Sequence, residues 1–294
     1  MFRHYDTKAY KVFSVVNLCF ALLVGVVCLL PMIHMLAVAF SGKAPAQANL
    51  VGLIPKDFTL DAFAKTLSNR NFGMSLLISV ERTALGLVFF LVFSILTAYP
   101  LSKSDKEFKG RSIYLWFFVF TMFFGGGLVP TYILITKLKL VNSIFALVLP
   151  GAVNVWSIIL LINFFRGIPK ELEESATMDG AGRLRVLWSI VLPLSTPVLA
   201  TLSLFTMVGH WNSWFDGMIY NTDINQYPLA TLLQIIVVQE DFTKITADPK
   251  HMADISNRTV KSAQMFIAAL PILMVYPFLQ KHFVSGIVVG AVKG

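Results

Sequence analysis

From Val12 to Phe40 the chain carries no Asp, Glu, Lys or Arg. A helix rises about 1.5 Å per residue and crosses the roughly 30 Å hydrocarbon layer in about 20 residues. A stretch this long and this apolar therefore belongs in lipid. Arg3, Lys8 and Lys11 precede it and a small-residue site, Ala44-Pro45-Ala46, follows it, which is the layout of a cleaved signal. The apolar core of a signal is only about 7–15 residues, so the segment is read as a retained membrane helix.

Five further stretches have the same character: Met74 to Leu101, Ser112 to Thr136, Asn142 to Phe165, Thr196 to Ile219 and Ser262 to Gln280. They are too long and too uniform for barrel strands, and a backbone in lipid must otherwise be helical. The expected fold class is all-α, a single membrane domain over 1–294 with about six transmembrane helices. The chain is 56% hydrophobic and 14% charged, against about 25% charged in soluble domains; such a chain lacks the polar groups to cover a globular surface.

The formal net charge of +8 does not point to nucleic acid, because the basic residues flank apolar segments and form no stripe with interleaved aromatics. Thirteen Lys and Arg fall on the side of the N-terminus and ten on the other, so both termini are placed in the cytoplasm. Cys19 and Cys28 share one helix, too far apart for a disulfide, and are read as small apolar fillers. No CxxC pair, HExxH or GxSxG occurs and the five histidines are scattered, so no metal site and no catalytic residue is expected.

The connection 166–193 reads RGIPKELEESATMDGAGRLRVLWSIVLP. Pro169 suits a first helical position. Glu171, Glu173 and Glu174 follow, where the helix dipole favours negative charge. Gly180 and Gly182 can end that helix. A second helix begins near Arg183, with Leu184, Leu187, Trp188, Val191 and Leu192 at the spacing of one apolar face, and Pro193 closes it. The result is a helix–turn–helix at the membrane surface. An interfacial helix of an unrelated membrane protein is the plain alternative.

This segment resembles the family of binding-protein-dependent ABC importer permeases, whose signature is Glu-Ala-Ala, three residues, Gly, nine residues, then Ile-x-Leu-Pro. Here it stands as Glu174-Ser175-Ala176, Gly180 and Ile190-Val191-Leu192-Pro193. Ser175 replaces the usual Ala, small for small. The resemblance implies a coupling loop, including Asp179, that docks on a separate ATPase, with Glu174 meeting a basic residue there. It implies as partners a second permease subunit, an ATPase dimer, a periplasmic or extracellular solute-binding protein and an oligosaccharide substrate. No cofactor is implied in this chain, and ATP and magnesium are implied in the ATPase; the chain has no GxxxxGK[ST] of its own.

The ending QKHFVSGIVVGAVKG resembles the maltose-type carbohydrate branch, whose tail (here Gly290, Lys293 and Gly294) reaches toward the ATPase. A helix-packing GxxxG at Gly286 and Gly290 is the other reading. Phe123–Tyr132 and His210–Tyr220 resemble a sub-branch for complex oligosaccharides, including the second permease of alginate importers. The loop 221–261 resembles the one that enters the open binding protein.

Substrate-path candidates follow from residues that lipid disfavours. Gly126, Gly127 and Pro130 interrupt the third span, which marks either a cavity lining or a packing kink. Glu81 and Arg82 sit inside the second span, and either one faces the pathway or both reach for the interface. Asn212 lies among His210, Trp211, Trp214 and Asp216, a cluster read mainly as an interface anchor. Two other classes are weighed: a secondary transporter, for which Glu81 is the one clear intramembrane carboxylate and no repeat is visible, and a membrane enzyme. Neither explains the spacing from Glu174 to Pro193.

Overall fold

A computed structural model describes residues 8–239 and 258–291. The described residues form helices and connections without a strand. They divide into two compact units, one of residues 8–69, 235–239 and 258–269, the other of residues 70–234 and 270–291.

The first unit opens with α1 (Lys8–Ala39), the apolar helix with Pro31 inside it. Its side chains from Val12 to Val27 point outward, as a helix coated by lipid or a partner requires. Cys19 and Cys28 are exposed too, so they fill no core within the chain. The short helices α2 (Lys43–Gln47) and α3 (Asp61–Ser68) follow. Phe40 stacks between Phe58 and Phe63, at 5.4 and 4.7 Å between ring centres. Ala39 and Ala62 pack with Val260 and Ala263 from the start of the last helix.

The second unit is built around α4 (Arg70–Ser102). The third span, Ser112 to Thr136, is interrupted near its glycines as expected, and forms two helices, α5 (Arg111–Phe123) and α6 (Leu128–Lys137), bent by 112°. Gly127 at φ 80° makes the corner, a conformation that costs glycine little. Next come α7 (Ile144–Val148), continued by a tight helical turn over Leu149–Gly151, and α8 (Val155–Arg166), bent by 49° at the break between Gly151 and Val155. The Asn154 side chain caps α8 by accepting from the Ser157 N–H at 2.9 Å.

The connection 166–193 carries α9 (Lys170–Met178) and α10 (Arg183–Leu194). Helix α10 contains a π-helical stretch over Leu187–Val191; Pro193 has no N–H to donate to the preceding turn, which favours such a bulge. The helix therefore runs one residue past Pro193 and breaks at Ser195, bent by 79° into α11 (Thr196–Asn212). The expected fifth span to Ile219 breaks again at Ser213 and Trp214, before α12 (Phe215–Tyr220). Helices α13 (Leu229–Leu233) and α14 (Arg258–Ala291) complete the chain.

Helix α4 packs on α8 and α11. Their shared core holds Phe90, Ala98, Leu101, Ile158, Leu161, Phe165 and Leu202, with Val186, Leu187 and Val191 from α10. Among the described residues three helices are long and apolar enough to cross a membrane, or up to six if each bent pair is one span. The expected number of about six is thus reached only if three of the spans are broken helices.

Candidate functional site

Two places in the second unit concentrate polar residues that an apolar chain must justify. The first is the surface hairpin of α9 and α10. Glu171 and Glu173 occupy the first turn of α9. Its end is a complete Schellman turn: the Ala181 N–H donates to the Ala176 carbonyl at 2.9 Å and the Gly180 N–H to the Thr177 carbonyl at 3.0 Å, with Gly180 at φ 80°. Ala176, Ala181 and Leu192 rest on the core, and Ile190 is half-buried. Glu174, Ser175, Asp179 and Pro193 are exposed, and Met178 is 89% exposed. The expected apolar face of α10 is only partly right. Leu187 and Val191 are buried with Val186, whereas Leu184 and Trp188 point away from the core. The π-helical stretch rotates that face relative to an ideal 3.6-residue repeat.

The hairpin is tied to the end of α4. Lys103 pairs with Glu173, and the Tyr99 hydroxyl donates to the Arg183 carbonyl at 3.3 Å. Arg166 donates to the carbonyls of Leu101 and Ser102 at 3.4 and 3.3 Å, satisfying acceptors a helix end leaves open. In the intervening loop, the Ser104 hydroxyl and N–H both donate to Glu107, at 2.7 and 3.0 Å. These bonds to the charged form hold the Glu107 carboxyl below its usual pKa.

The second place is a cavity of about 380 Å³ lined by residues of α4, α8, α11 and α12, among them Arg82, Asn154, Trp156, Ser157, His210 and Asp216. Arg82 is 2% exposed. Its guanidinium pairs with Asp216 and donates to the Ser213 carbonyl at 2.9 Å. The break after α11 turns that carbonyl out of the helix and makes it available. Asp216 also accepts from the Ser213 hydroxyl and the Gly217 N–H, both at 2.9 Å. Gly86 faces the His210 ring so closely that a Cβ there would collide with it.

Of the sequence candidates for the substrate path, only Arg82 lines this cavity. It is buried and paired with Asp216, so the reading in which it reaches for the interface is corrected. Glu81, one residue earlier, faces elsewhere and lines a separate cavity of about 310 Å³ with Asn142, Ser143, Asn221 and Gln226. Gly126, Gly127 and Pro130 are exposed at the α5–α6 corner, and Asn212 is exposed outside the cavity lining. The interface-anchor reading of the 210–216 cluster gives way as well, because Trp211 is buried and His210 and Asp216 line the cavity. Gly290 lies on α14; Lys293, Gly294 and residues 240–257 of the expected outer loop fall outside the described residues.

Sequence reasoning passed over Asp216 as a partner for Arg82 and Lys103 as a partner for Glu173. The adjacent polar pair Asn212-Ser213 is the one local sign of the break that brings Asp216 round. Nothing near Lys103 singles it out from the other lysines of its loop.

The family described as binding-protein-dependent transport system inner membrane component matches residues 84–289. The chain is similar to the protein LplC of Bacillus subtilis, 40% identical over 99% of this chain and 98% of LplC. It is also similar to the B. subtilis polygalacturonan/rhamnogalacturonan transport system permease protein YtcP, 38% identical over 97% of this chain and 99% of YtcP. Among solved structures, it is similar to a chain of a bacterial ABC transporter involved in the import of the acidic polysaccharide alginate, with a TM-score of 0.85 at 29% identity over 95% of this chain and 99% of that one.

Proposed function

This chain belongs to the family of binding-protein-dependent transport system inner membrane components, and from that membership we propose that it is the permease through which an ATP-driven importer moves acidic oligosaccharides. The observation that carries the coupling half of this reading is the surface hairpin. Helix α9 presents Glu174 and Met178 outward while Ala176 and the α4 contacts hold its other side. A rigid, capped helix with an exposed carboxylate suits docking on an ATPase that binds ATP and magnesium in a separate chain.

The remaining partners follow from that role. A second permease subunit completes the pathway, a solute-binding protein delivers the sugar from outside, and both termini and the hairpin lie in the cytoplasm. The family match supports this reading over a secondary transporter or an enzyme.

The acidic character of the substrate rests on the relatives. YtcP is named for polygalacturonan and rhamnogalacturonan, and the alginate importer for an acidic polysaccharide. Neutral oligosaccharides are the second reading, favoured by the pairing of Arg82 with Asp216, which leaves that corner of the cavity without net charge.

The test is the ATPase rate of the assembled importer in liposomes, with its binding protein loaded with uronate or with neutral oligosaccharides. Stimulation by uronates is expected. Stimulation by neutral sugars alone would replace the substrate class, and a chain that binds no ATPase would overturn the importer role.

A further inference from the structure

We propose that the cavity beside Arg82 is a subsite for one acidic sugar unit, whose carboxylate takes the place of Asp216 on the guanidinium. This rests on the reading of the substrate as an acidic oligosaccharide.

The cavity volume, about 380 Å³, lies near the lower end of the roughly 300–1,000 Å³ typical of ligand sites, enough for a single sugar unit. Its wall combines the two features a sugar needs. Trp156 is half-exposed into it and offers an aromatic face, while Asn154, Ser157 and Thr206 offer hydrogen-bonding groups.

Arg82 supplies the charge recognition. Among the described residues its Nε–H is buried with no acceptor, an unsatisfied donor on a side chain that is 2% exposed. Such a donor is costly unless something else accepts from it. The guanidinium presents a planar fork, and a carboxylate fills two of its N–H groups at once. Asp216 engages only Nη2, so the fork is half-used.

Exchange is feasible because each partner keeps other bonds. The Ser213 carbonyl continues to hold Nη1 at 2.9 Å, which fixes the guanidinium when Asp216 leaves. Asp216 is a quarter exposed on its side chain and retains the Ser213 hydroxyl and the Gly217 N–H. In the empty cavity Asp216 shields the cation; with an acidic sugar present, the sugar's carboxylate and the vacated space are both used.

The test uses the complete importer in liposomes, with uptake of galacturonate or mannuronate oligomers compared with their methyl esters, in which one added methyl group removes the charge of each carboxyl. Arg82→Gln is expected to raise the KM for the acid forms at least about tenfold more than that for the esters, the effect of losing one charged hydrogen bond. Asp216→Asn keeps an acceptor for Ser213 and Gly217 and releases Arg82, so the acid forms are expected to gain or hold affinity. The double variant removes both charges, leaves no unpaired ion and is expected to transport esters well and acids poorly. A double variant that recovers acids and esters equally would reduce the pair to a structural contact and overturn the subsite. Wild-type importer that ignores the acid forms would instead sink the substrate class itself, and the subsite with it.

Discussion

Lys103 pairs with Glu173, 70 residues further along the chain, while its Nζ lies 4.3 Å above the centre of the Tyr99 ring. The ring faces the cation and its hydroxyl holds the Arg183 carbonyl. One lysine thus ties the end of α4 to α9, and the neighbouring tyrosine ties it to α10. The hairpin is thereby fixed to the same helix that carries Arg82 into the cavity.

Because both side chains are mostly buried, removing one strands the other. Lys103→Ala or Glu173→Ala is expected to cost about 1.5 kcal/mol, the scale of a hydrogen bond to a charged group. Thermal unfolding in detergent reads this directly. The charge-swapped double variant Lys103→Glu with Glu173→Lys should restore most of the stability and of the sugar transported per ATP. A swap that recovers neither would mean that the pair does not link the two elements.

Glu174 points away from the core. Glu174→Lys is therefore expected to leave the melting temperature unchanged while abolishing copurification of the ATPase and sugar-stimulated hydrolysis. A variant that still retains the ATPase would place the docking contact elsewhere.

The Schellman turn depends on Gly180 at φ 80°. Gly180→Ala places a Cβ in a left-handed conformation, at a cost of about 1 kcal/mol. The turn sets the direction in which α10 leaves α9, so the expected loss is larger in coupling than in stability: hydrolysis continues and uptake falls several-fold. The ratio of sugar imported to ATP hydrolysed measures it.

Gly86 and His210 share one space across α4 and α11. Gly86→Val is expected to force the His210 ring toward the cavity and cost about 1–3 kcal/mol by overpacking. His210→Ala in the same chain opens room for the valine and should return the melting temperature toward wild type. No recovery would show that the collision is not with His210.

Much of the surface hairpin was legible in the residues. Pro169, the glutamates of the first turn and Gly180 act within a few positions of one another, whereas the π-helical stretch that turns Leu184 and Trp188 outward and the helix end past Pro193 were not legible there. The cavity was not legible in the same way. Arg82 is conspicuous in an apolar span, but Gly126, Gly127, Pro130 and Asn212 carry equal local oddity and lie outside the lining. An interrupted helix shows from its own residues; what the interruption faces does not.

By itself the sequence determined that the chain enters the membrane, how many apolar segments it has, that glycines interrupt the third of them, and that an acidic capped hairpin stands among them. These follow from hydropathy, backbone freedom and helix-end chemistry, each acting over one or two turns. Only the tertiary structure decided that Arg82 meets Asp216, 134 positions away, and that Lys103 meets Glu173. A buried charge takes the partner that folding brings within reach, and that depends on how α4 packs against helices whose bends are set by many contacts at once.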